Sequence, residues 1–310
     1  MFQIKKNTIN VKSIVKFLNA KYYGEDFSIN GFSSLNNVKD NTILFFSDLI
    51  NFKFKLKDNS SYDLKKLEKF QNVVLIADKQ LCKYLNIPII HSQNPRYDFY
   101  RVISEFFSQN EFVPGIHKTA VIEKQTNLGT NIHIGANCYV GNNVTIGNNT
   151  IILPNTTIFG NTSIGSNCVI KSNTTIGSEG FSFTFSNDEL LHFPHLGTIL
   201  IGNNVWIGSN CTVEKAQIDN TVIEDHVKID DLVQIGHNSI IKKFTQIAAG
   251  CIIAGRVIID EGTWVSSNSV IDNGCKLGKN CLVGTSTLIR SDFPDNSKIV
   301  GSPGKILDKK

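Results

Sequence analysis

An aliphatic residue recurs every six positions over most of this 310-residue chain, and this period constrains the fold more than any other feature. The residues in register are Ile116, Ile122, Leu128, Ile134, Val140, Ile146, Ile152, Ile158, Ile164, Ile170 and Ile176, then Ile201, Ile207 and Val213, and, after a four-residue slip, Ile223, Ile229, Ile235, Ile241, Ile247, Ile253, Ile259, Val265, Ile271, Leu277, Val283 and Ile289. A period of six matches neither an α-helical turn nor the alternation of a β-strand. It predicts short flat strands joined by tight corners and stacked in coils about 4.8 Å apart.

Each corner of such a coil requires a residue that tolerates positive φ. Gly after the aliphatic residue and Asn two positions further on, as in IGANC, IGNNT and IGSNC, are predicted to supply it. Four residues after the aliphatic position stands a second, small residue. Six of the seven cysteines occupy that position: Cys138, Cys168, Cys211, Cys251, Cys275 and Cys281. We therefore predict buried packing cysteines, neither disulfide-bonded nor metal-bound.

The two parts of the chain differ in composition, which predicts two unlike domains. Thirteen of the 20 Phe precede residue 115, as in an ordinary globular core. We predict a small α/β domain over residues 1–112, a β-helix over 113–292 with an inserted loop at 177–197, and a short tail over 293–310. In the first domain, Asn10 is predicted to cap one helix, a second helix is expected at 96–107, and strands are expected at 42–47, 73–77 and 87–91.

Charge and hydropathy argue against nucleic acid and membranes as partners of this chain. The net charge is +4, with the lysines spread over residues 1–85 and the last few positions, which argues against nucleic-acid binding. The opening segment has no apolar run of signal-peptide length, and no stretch of about 18 apolar residues occurs anywhere. We expect a cytoplasmic protein with no stable membrane insertion.

The repeat resembles that of the left-handed parallel β-helix acyltransferases, which wind three hexads into each coil and assemble as homotrimers. The phrases FLNAKYYG, TILFFSD and NPRYDFYRVISEFF further resemble the uridine-binding domain of the UDP-3-O-acylglucosamine N-acyltransferases, the LpxD family of lipid A synthesis. Phe45 matches the Phe that stacks on uracil in that family. Asp48 replaces the family's Asn and Asn51 its Tyr, so the resemblance implies a nucleotide-sugar site at Phe45 and Asp48 with altered base specificity.

The segment KIDDLVQIGHNS, residues 228–239, is similar to the family's KIDNQIQIAHN motif, whose His is the general base. The resemblance implies that role for His237, since transfer of an acyl group from a thioester to an amine requires a proton acceptor. Asp230, Asp231 and Asn238 lie in the same motif and are expected to bind substrate. Three steps back along the repeat lie Glu214 and Lys215; Glu214 is predicted to orient the imidazole and Lys215 to contact substrate. The alternative is a His at a solvated corner.

Three residues are expected at the acyl donor. Arg256 lies one coil above His237 and is a candidate for a donor phosphate, or else a solvated corner residue. Gly274 stands where the family has a second active-site His. Lys305 lies in IVGSPGKIL, which is similar to the GxPAK ending of coenzyme A-dependent hexapeptide transferases. The chain ends where LpxD proteins continue into helices that receive acyl carrier protein.

The insertion at 177–197 reads GSEGFSFTFSNDELLHFPHLG and resembles the family's GSDGFGF loop, with Gly177, Gly180, Phe181 and Phe183 matching. A long loop that projects from the repeat and carries aromatic residues is more often functional than not. His192 and His195 within it are alternative bases. The seven His do not follow the ligand pattern of the gamma carbonic anhydrases, which share the β-helix, so no metal is predicted.

The sequence therefore predicts an N-acyltransferase that moves an acyl group from acyl-coenzyme A or acyl carrier protein to the amine of a nucleotide-linked amino sugar, for a bacterial surface glycan or lipid A. No permanently bound cofactor is expected. One alternative is an LpxD enzyme proper, specific for hydroxyacyl-acyl carrier protein. A non-catalytic β-helix that serves as a scaffold or binding module is the alternative from another class.

Overall fold

The computed structural model describes residues 2–5, 7–47, 64–83, 85–186 and 188–306. Asp48 and Asn51 lie outside the described residues. The chain separates into two compact units, Met1–Glu111 and Phe112–Lys310. Within the described ranges, no helix combines the length and the apolar character needed to cross a bilayer.

The first unit is built on a five-stranded sheet. Its strands, in spatial order, are Tyr22–Tyr23, Ile89–His91, Val74–Ala77, Thr42–Phe45 and Gly31–Phe32, the first pair antiparallel and the others parallel. Two short antiparallel pairs join Ile9–Asn10 to Ser28–Ile29 and Phe2–Ile4 to Ser108–Asn110. The helical segments are Val11–Leu18, Leu64–Lys69, Lys79–Lys83, Pro95–Val102 and Ile103–Phe107, the last a π-helical continuation.

Both predicted helices of this unit are confirmed, and their ends follow from side-chain capping. The side chain of Asn10 accepts a hydrogen bond from the backbone N–H of Lys12 at 2.9 Å, and Asn19 ends the helix with φ of 50°. Asn94 caps the second helix, which begins at Pro95, where a missing N–H costs nothing. The three predicted strands are also present, each slightly shorter than expected.

The second unit is the predicted left-handed parallel β-helix, with three parallel sheets as its faces. Face 1 holds Gly115–Ile116, His133–Ile134, Ile151–Ile152, Val169–Ile170, Trp206–Ile207, Lys228–Ile229, Gln246–Ile247, Trp264–Val265, Leu282–Val283 and Lys298–Val300, with Lys305–Ile306 added antiparallel. Face 2 holds Val121–Ile122, Tyr139–Val140, Thr157–Ile158, Thr175–Ser178, Thr212–Glu214, Gln234–Ile235, Ile252–Ile253, Val270–Ile271 and Leu288–Ile289. Face 3 holds Asn127–Leu128, Thr145–Ile146, Thr162–Ile164, Thr198–Ile201, Asn220–Ile223, Ile240–Ile241, Ile258–Ile259 and Lys276–Leu277.

The six-residue positions form the core of this unit. From Ile134 onward they are almost completely buried and stack in register from coil to coil, as with Ile134 on Ile152. The six cysteines predicted to pack inside are buried and free. Burial raises the pKa of the thiols, Cys168 and Cys211 included, so these residues stay protonated and behave as small apolar groups.

The corners correct one prediction. Asn at the third position after the aliphatic residue takes positive φ as expected, for example 57° at Asn137 and 56° at Asn149. Apart from Gly177, whose φ is 92°, the Gly directly after the aliphatic residue does not have this role: a Cβ on Gly135 would lie 2.6 Å from the backbone N of Pro154, and one on Gly147 would lie 2.6 Å from the carbonyl carbon of Gly165. These Gly residues are required because successive coils approach too closely for a side chain.

The β-helix also continues past residue 292, where the sequence prediction ends it. Phe293 pairs with Leu277 on face 3, and Ile299 pairs with Val283 on face 1 and is fully buried. The final corner is short, because Phe293 follows Ile289 by four positions instead of six. That change of spacing hid the last coil from the six-residue period.

Candidate functional site

Both breaks in the repeat fall at the same corner of the β-helix, between faces 2 and 3. Ile176 lies on face 2 and Ile201 on face 3, and the residues between them form the antiparallel hairpin Phe183–Ser186 and Glu189–His192. On the next coil the slip from Val213 to Ile223 crosses the same corner. His237 follows one coil later, two residues after Ile235 on face 2. The irregular chain therefore surrounds one histidine.

His237 is 8% exposed, and its protonation pattern follows from its neighbours. The amide of Asn238 has a fixed orientation, since its Nδ2 donates to the carbonyl of Ile218 at 2.8 Å and its Oδ1 accepts the backbone N–H of Gln217 at 3.0 Å. Nδ1 of His237 lies 3.1 Å from the same Oδ1, so Nδ1 carries the proton and donates it. Nε2 then holds a free lone pair, as a general base requires.

Two glycines pack closely against the polar side chains of this site. A Cβ on Gly255 would lie 2.6 Å from Nε2 of His237, so any side chain at this position would collide with the imidazole. A Cβ on Gly180 would lie 2.6 Å from Oε2 of Glu214, 3.0 Å from Cδ2 of His237 and 3.1 Å from Nε2 of His195. Gly180 thus lies among the three polar side chains of the site, and only hydrogen fits there.

Glu214 lies beside His237 as predicted, but the contact differs from the expected one. Its Oε2 accepts the backbone N–H of His237 at 3.1 Å, and its Oε1 accepts the amide of Gln234 at 3.1 Å. The carboxylate is 9% exposed. It therefore fixes the backbone that carries the imidazole, whereas the ring itself is oriented by Asn238.

His195, predicted as an alternative base, is fully buried against His237, with ring centroids 5.4 Å apart. Its Nδ1 lies 3.1 Å from the carbonyl of Phe193, so Nδ1 carries the proton. Burial, and next the neighbouring His237, lower the pKa of His195, which favours its neutral form. Two uncharged imidazoles can share this corner, and two charged ones would repel.

A polar network that sequence reasoning missed joins the site to Arg256. The guanidinium donates to Oε1 of Gln217 at 2.7 Å, and the amide nitrogen of Gln217 contacts Oγ of Ser182 at the base of the hairpin. Gln217 lies in the four-residue slip of the repeat, which was the available sign of a functional segment. Arg256 lies directly above His237, whose carbonyl accepts the Arg256 N–H at 2.8 Å.

The hairpin carries exposed aromatic residues at the same corner. Phe181 is 87% exposed, and its ring lies 5.1 Å from that of Phe183, which in turn lies 5.0 Å from His192. Lys215 is also present here, with Nζ 3.6 Å from Oε1 of Glu179. Glu179, Gly180, Phe181, Phe183 and Lys215 are thus grouped around the buried histidines.

Other predicted residues lie elsewhere. Asp230 and Asp231 follow Ile229 at the corner between faces 1 and 2, away from the corner that holds His237. Asp231 accepts from Nζ of Lys171 at 2.6 Å, which lowers the pKa of the carboxyl and gives it a structural partner. Within one chain, His237 lies at the opposite end of the intervening strand, and the substrate-binding role of Asp230 and Asp231 stays a prediction.

The three residues expected at the donor differ in their surroundings. Arg256 belongs to the network above. Gly274 has φ of 74° and open space where a side chain would project. Lys305 lies on the last strand, paired antiparallel with Lys298–Val300.

In the first unit, Phe45 packs on Phe99 with ring centroids 4.9 Å apart.

Comparison with known proteins gives matches in sequence and in fold. A family model described as bacterial transferase hexapeptide (six repeats) matches residues 143–178. Over 80 residues, 26% of this chain, the sequence is 51% identical to UDP-3-O-acylglucosamine N-acyltransferase of Acinetobacter baumannii strain AYE, of which the match covers 22%. It is 43% identical over 86 residues to UDP-3-O-acylglucosamine N-acyltransferase 2 of Legionella pneumophila strain Lens, covering 28% of this chain and 25% of that one.

A solved structure with the same fold is that of Francisella novicida UDP-N-acetylglucosamine acyltransferase. It superposes with a TM-score of 0.55 at 27% identity, covering 60% of this chain and 66% of the other. The chain spans about a quarter or less of the length of the curated relatives it matches. The chain therefore carries the transferase hexapeptide repeat, and its resemblance to the UDP-3-O-acylglucosamine N-acyltransferases is confirmed over the matched residues.

Proposed function

We propose that this protein is an N-acyltransferase that moves an acyl group from a thioester to the amine of a nucleotide-linked amino sugar, within lipid A or surface-glycan synthesis. The observation that carries the proposal is the state of His237: a buried imidazole with Nδ1–H bound to Asn238 and with Nε2 beside Gly255, where a side chain would collide with it. The relatives named for this reaction, similar over 80 and 86 residues, support it.

In the proposed reaction, Nε2 of His237 accepts a proton from the attacking amine as the nitrogen bonds to the thioester carbonyl carbon. The C–S bond then breaks, and the proton passes from the imidazolium to the departing thiolate. Amide and free thiol are the products, and His237 returns to its neutral form. Asn238 keeps the imidazole in the required tautomer, and neutral His195 lets the adjacent ring carry a transient charge.

The acyl donor is proposed to be an acyl-coenzyme A or an acyl carrier protein thioester. Arg256 supports this assignment, since its exposed guanidinium lies one coil above His237 and suits a phosphate of the phosphopantetheine arm. Gly274, one coil above Gly255, has open space where a side chain would project. No permanently bound cofactor takes part in the proposed steps.

Three copies of the chain are proposed to form the active enzyme, in the cytoplasm, where both substrates occur. Exposed apolar residues on face 1 support assembly: Trp264 and Leu282 are direct cross-strand neighbours, 39% and 44% exposed. The first unit is proposed to bind the nucleotide, with Phe45 as a stacking residue.

The decisive test incubates the purified full chain with acetyl-coenzyme A, hydroxyacyl-coenzyme A or hydroxyacyl-acyl carrier protein, each against UDP- and dTDP-linked amino sugars. Free thiol is measured, and the acylated sugar is identified by mass spectrometry. We expect one donor and one acceptor class to turn over. Turnover with hydroxyacyl-acyl carrier protein alone would assign the LpxD reaction proper, whereas no turnover with any pair would overturn the proposal in favour of a non-catalytic binding role.

A further inference from the structure

Three side chains that flank the hairpin converge next to His237, and none of them exchanges a proton in the proposed acyl transfer. Glu179 precedes the hairpin, His192 ends its second strand and His195 follows it. One ligand atom from each lies within 4.8 Å of the other two, and Nε2 of His192 is 3.5 Å from Oε2 of Glu179. The other carboxylate oxygen of Glu179 faces Lys215, which leaves Oε2 directed at the histidines.

His195 gives an independent sign of a ligand. Its ring is fully buried, and Nε2 has no hydrogen-bond partner among the described residues. Nδ1 is occupied by its bond to the carbonyl of Phe193, so Nε2 carries the lone pair. This is the arrangement of a metal-binding histidine, in which one ring nitrogen donates to a carbonyl and the other coordinates the ion. A buried acceptor without a partner is otherwise costly.

We propose that Glu179, His192 and His195 bind a single divalent transition-metal ion, with Zn²⁺ as the best fit. Two imidazoles and one carboxylate form a donor set that zinc takes readily, with water in the fourth position. In a tetrahedral site with bonds of about 2.0–2.2 Å, ligand atoms lie about 3.3–3.6 Å apart. The His192–Glu179 pair already has that separation, and a movement of about 1 Å brings in the third atom.

The ion would link the two sides of the hairpin at its base. The ligands come from both sides of it, so coordination closes the loop between Glu179 and His195 and holds the exposed strands Phe183–Ser186 and Glu189–His192 against the β-helix. This site assignment does not depend on the proposed acyl transfer.

The binding test uses the full chain, stripped with EDTA and kept reduced, with Zn²⁺ titrated against a chromophoric chelator. The matched controls are Cys82→Ser, which removes the exposed cysteine, and His226→Gln, which removes an exposed histidine at a different corner. We expect one Zn²⁺ per chain in the wild type and both controls. Glu179→Gln and His192→Gln should each weaken binding by about 10-fold or more; because both residues are partly exposed, these variants should fold even if His195→Gln does not.

A second readout follows the hairpin itself. Chymotrypsin should cleave it at the exposed Phe185 or Leu190, and Zn²⁺ should protect it in the wild type but not in His192→Gln. Absence of stoichiometric binding would overturn the proposal. Equal binding by the wild type, Glu179→Gln and His192→Gln would do so as well, because it would indicate an adventitious ion only. Neither measurement uses a substrate, so failure here leaves the acyl-transfer test independent.

Discussion

His237 obtains its properties from three neighbouring residues. Asn238 fixes the tautomer, Glu214 fixes the backbone, and Gly255 places no side chain against Nε2. These effects are local and separable, because Asn238 acts on the ring, Glu214 acts on the main chain and Gly255 acts through the lack of a side chain. Substitutions at these positions should therefore have different kinetic consequences.

His237→Ala tests the general base directly. We expect turnover to fall by about 10² or more, because the general base is lost, while thermal stability changes little at a corner position. His226→Ala, at another corner of the β-helix, serves as the control and should retain activity. Unchanged turnover in His237→Ala would remove the residue from the mechanism.

Gly255→Ala tests whether the space at Nε2 matters. The added Cβ would lie 2.6 Å from Nε2 and 2.8 Å from Cε1 of His237, so the ring must shift and the reactive nitrogen becomes covered. We expect kcat to fall by about 10-fold or more with the circular dichroism spectrum retained. Gly31→Ala is the matched control, since its Cβ would meet only Thr42 Cγ2 at 3.7 Å. Equal kcat values in the two variants would contradict this view of the site.

His195 predicts a pH dependence of stability. Its pKa is lowered in the folded protein, so between the folded value and the unfolded value of about 6.5 the unfolded chain binds more protons. The free energy of unfolding should therefore be highest above about pH 6.5 and decrease as pH falls through this window. Urea midpoints measured from pH 7.5 to about 5.5 in EDTA should decline in the wild type and decline less in His195→Gln. Equal slopes would assign the effect to other groups.

At the scale of elements, the corners stack as ladders of asparagine side chains. Nδ2 of Asn149 donates to Oδ1 of Asn167 one coil above at 3.2 Å, and Asn137 and Asn155 repeat the contact at 3.3 Å. Positive φ and the amide ladder are separate requirements, because Gly meets the first and not the second. The repeat therefore selects Asn for two physical reasons at once.

Asn149→Gly and Asn149→Ala separate these contributions. Both lose the ladder bond, but only Ala must hold a Cβ at φ of 56°, which costs about 1–2 kcal/mol. We expect unfolding midpoints in the order wild type, Asn149→Gly, Asn149→Ala. An Ala variant as stable as the Gly variant would show that the left-handed corner carries no strain at this position.

Much of this fold is readable from the sequence because each coil repeats the same local rules. The period places Ile235 on a face, His237 after it and Glu214 one coil below, as the structure confirms. Periodicity alone does not show which of the three corners a residue occupies. The sequence therefore did not place Asp230 and Asp231 at a different corner from His237. Nor does it give side-chain partners such as Gln217 or the buried state of His195, which depend on how two irregular segments meet.

At the scale of the whole molecule, each face of the β-helix carries apolar outward side chains on part of its length. Trp264 and Leu282 form an apolar pair on face 1, and Ile252 is 45% exposed on face 2. On face 3, Asn127, Thr145 and Ser163 form a polar row on the first coils, and the same row continues as apolar residues from Leu200, which is 41% exposed, to Val222 and Ile240. A second copy of the chain would bury apolar outward side chains and leave the polar row of face 3 in water.

Sedimentation of the full chain should therefore give a mass three times that of the 34.4 kDa chain. Trp264→Glu places a charge where Leu282 is a direct neighbour, so burial between copies would leave it unpaired, and we expect dissociation towards the monomer. Thr145→Glu adds the same charge to the polar row of face 3 and should leave the mass unchanged. A monomeric wild type would refute the assembly, and a trimer that tolerates Trp264→Glu but not Thr145→Glu would move the interface to face 3. Either result would change what lies next to the corner that carries His237, and hence how the proposed acyl donor reaches Arg256.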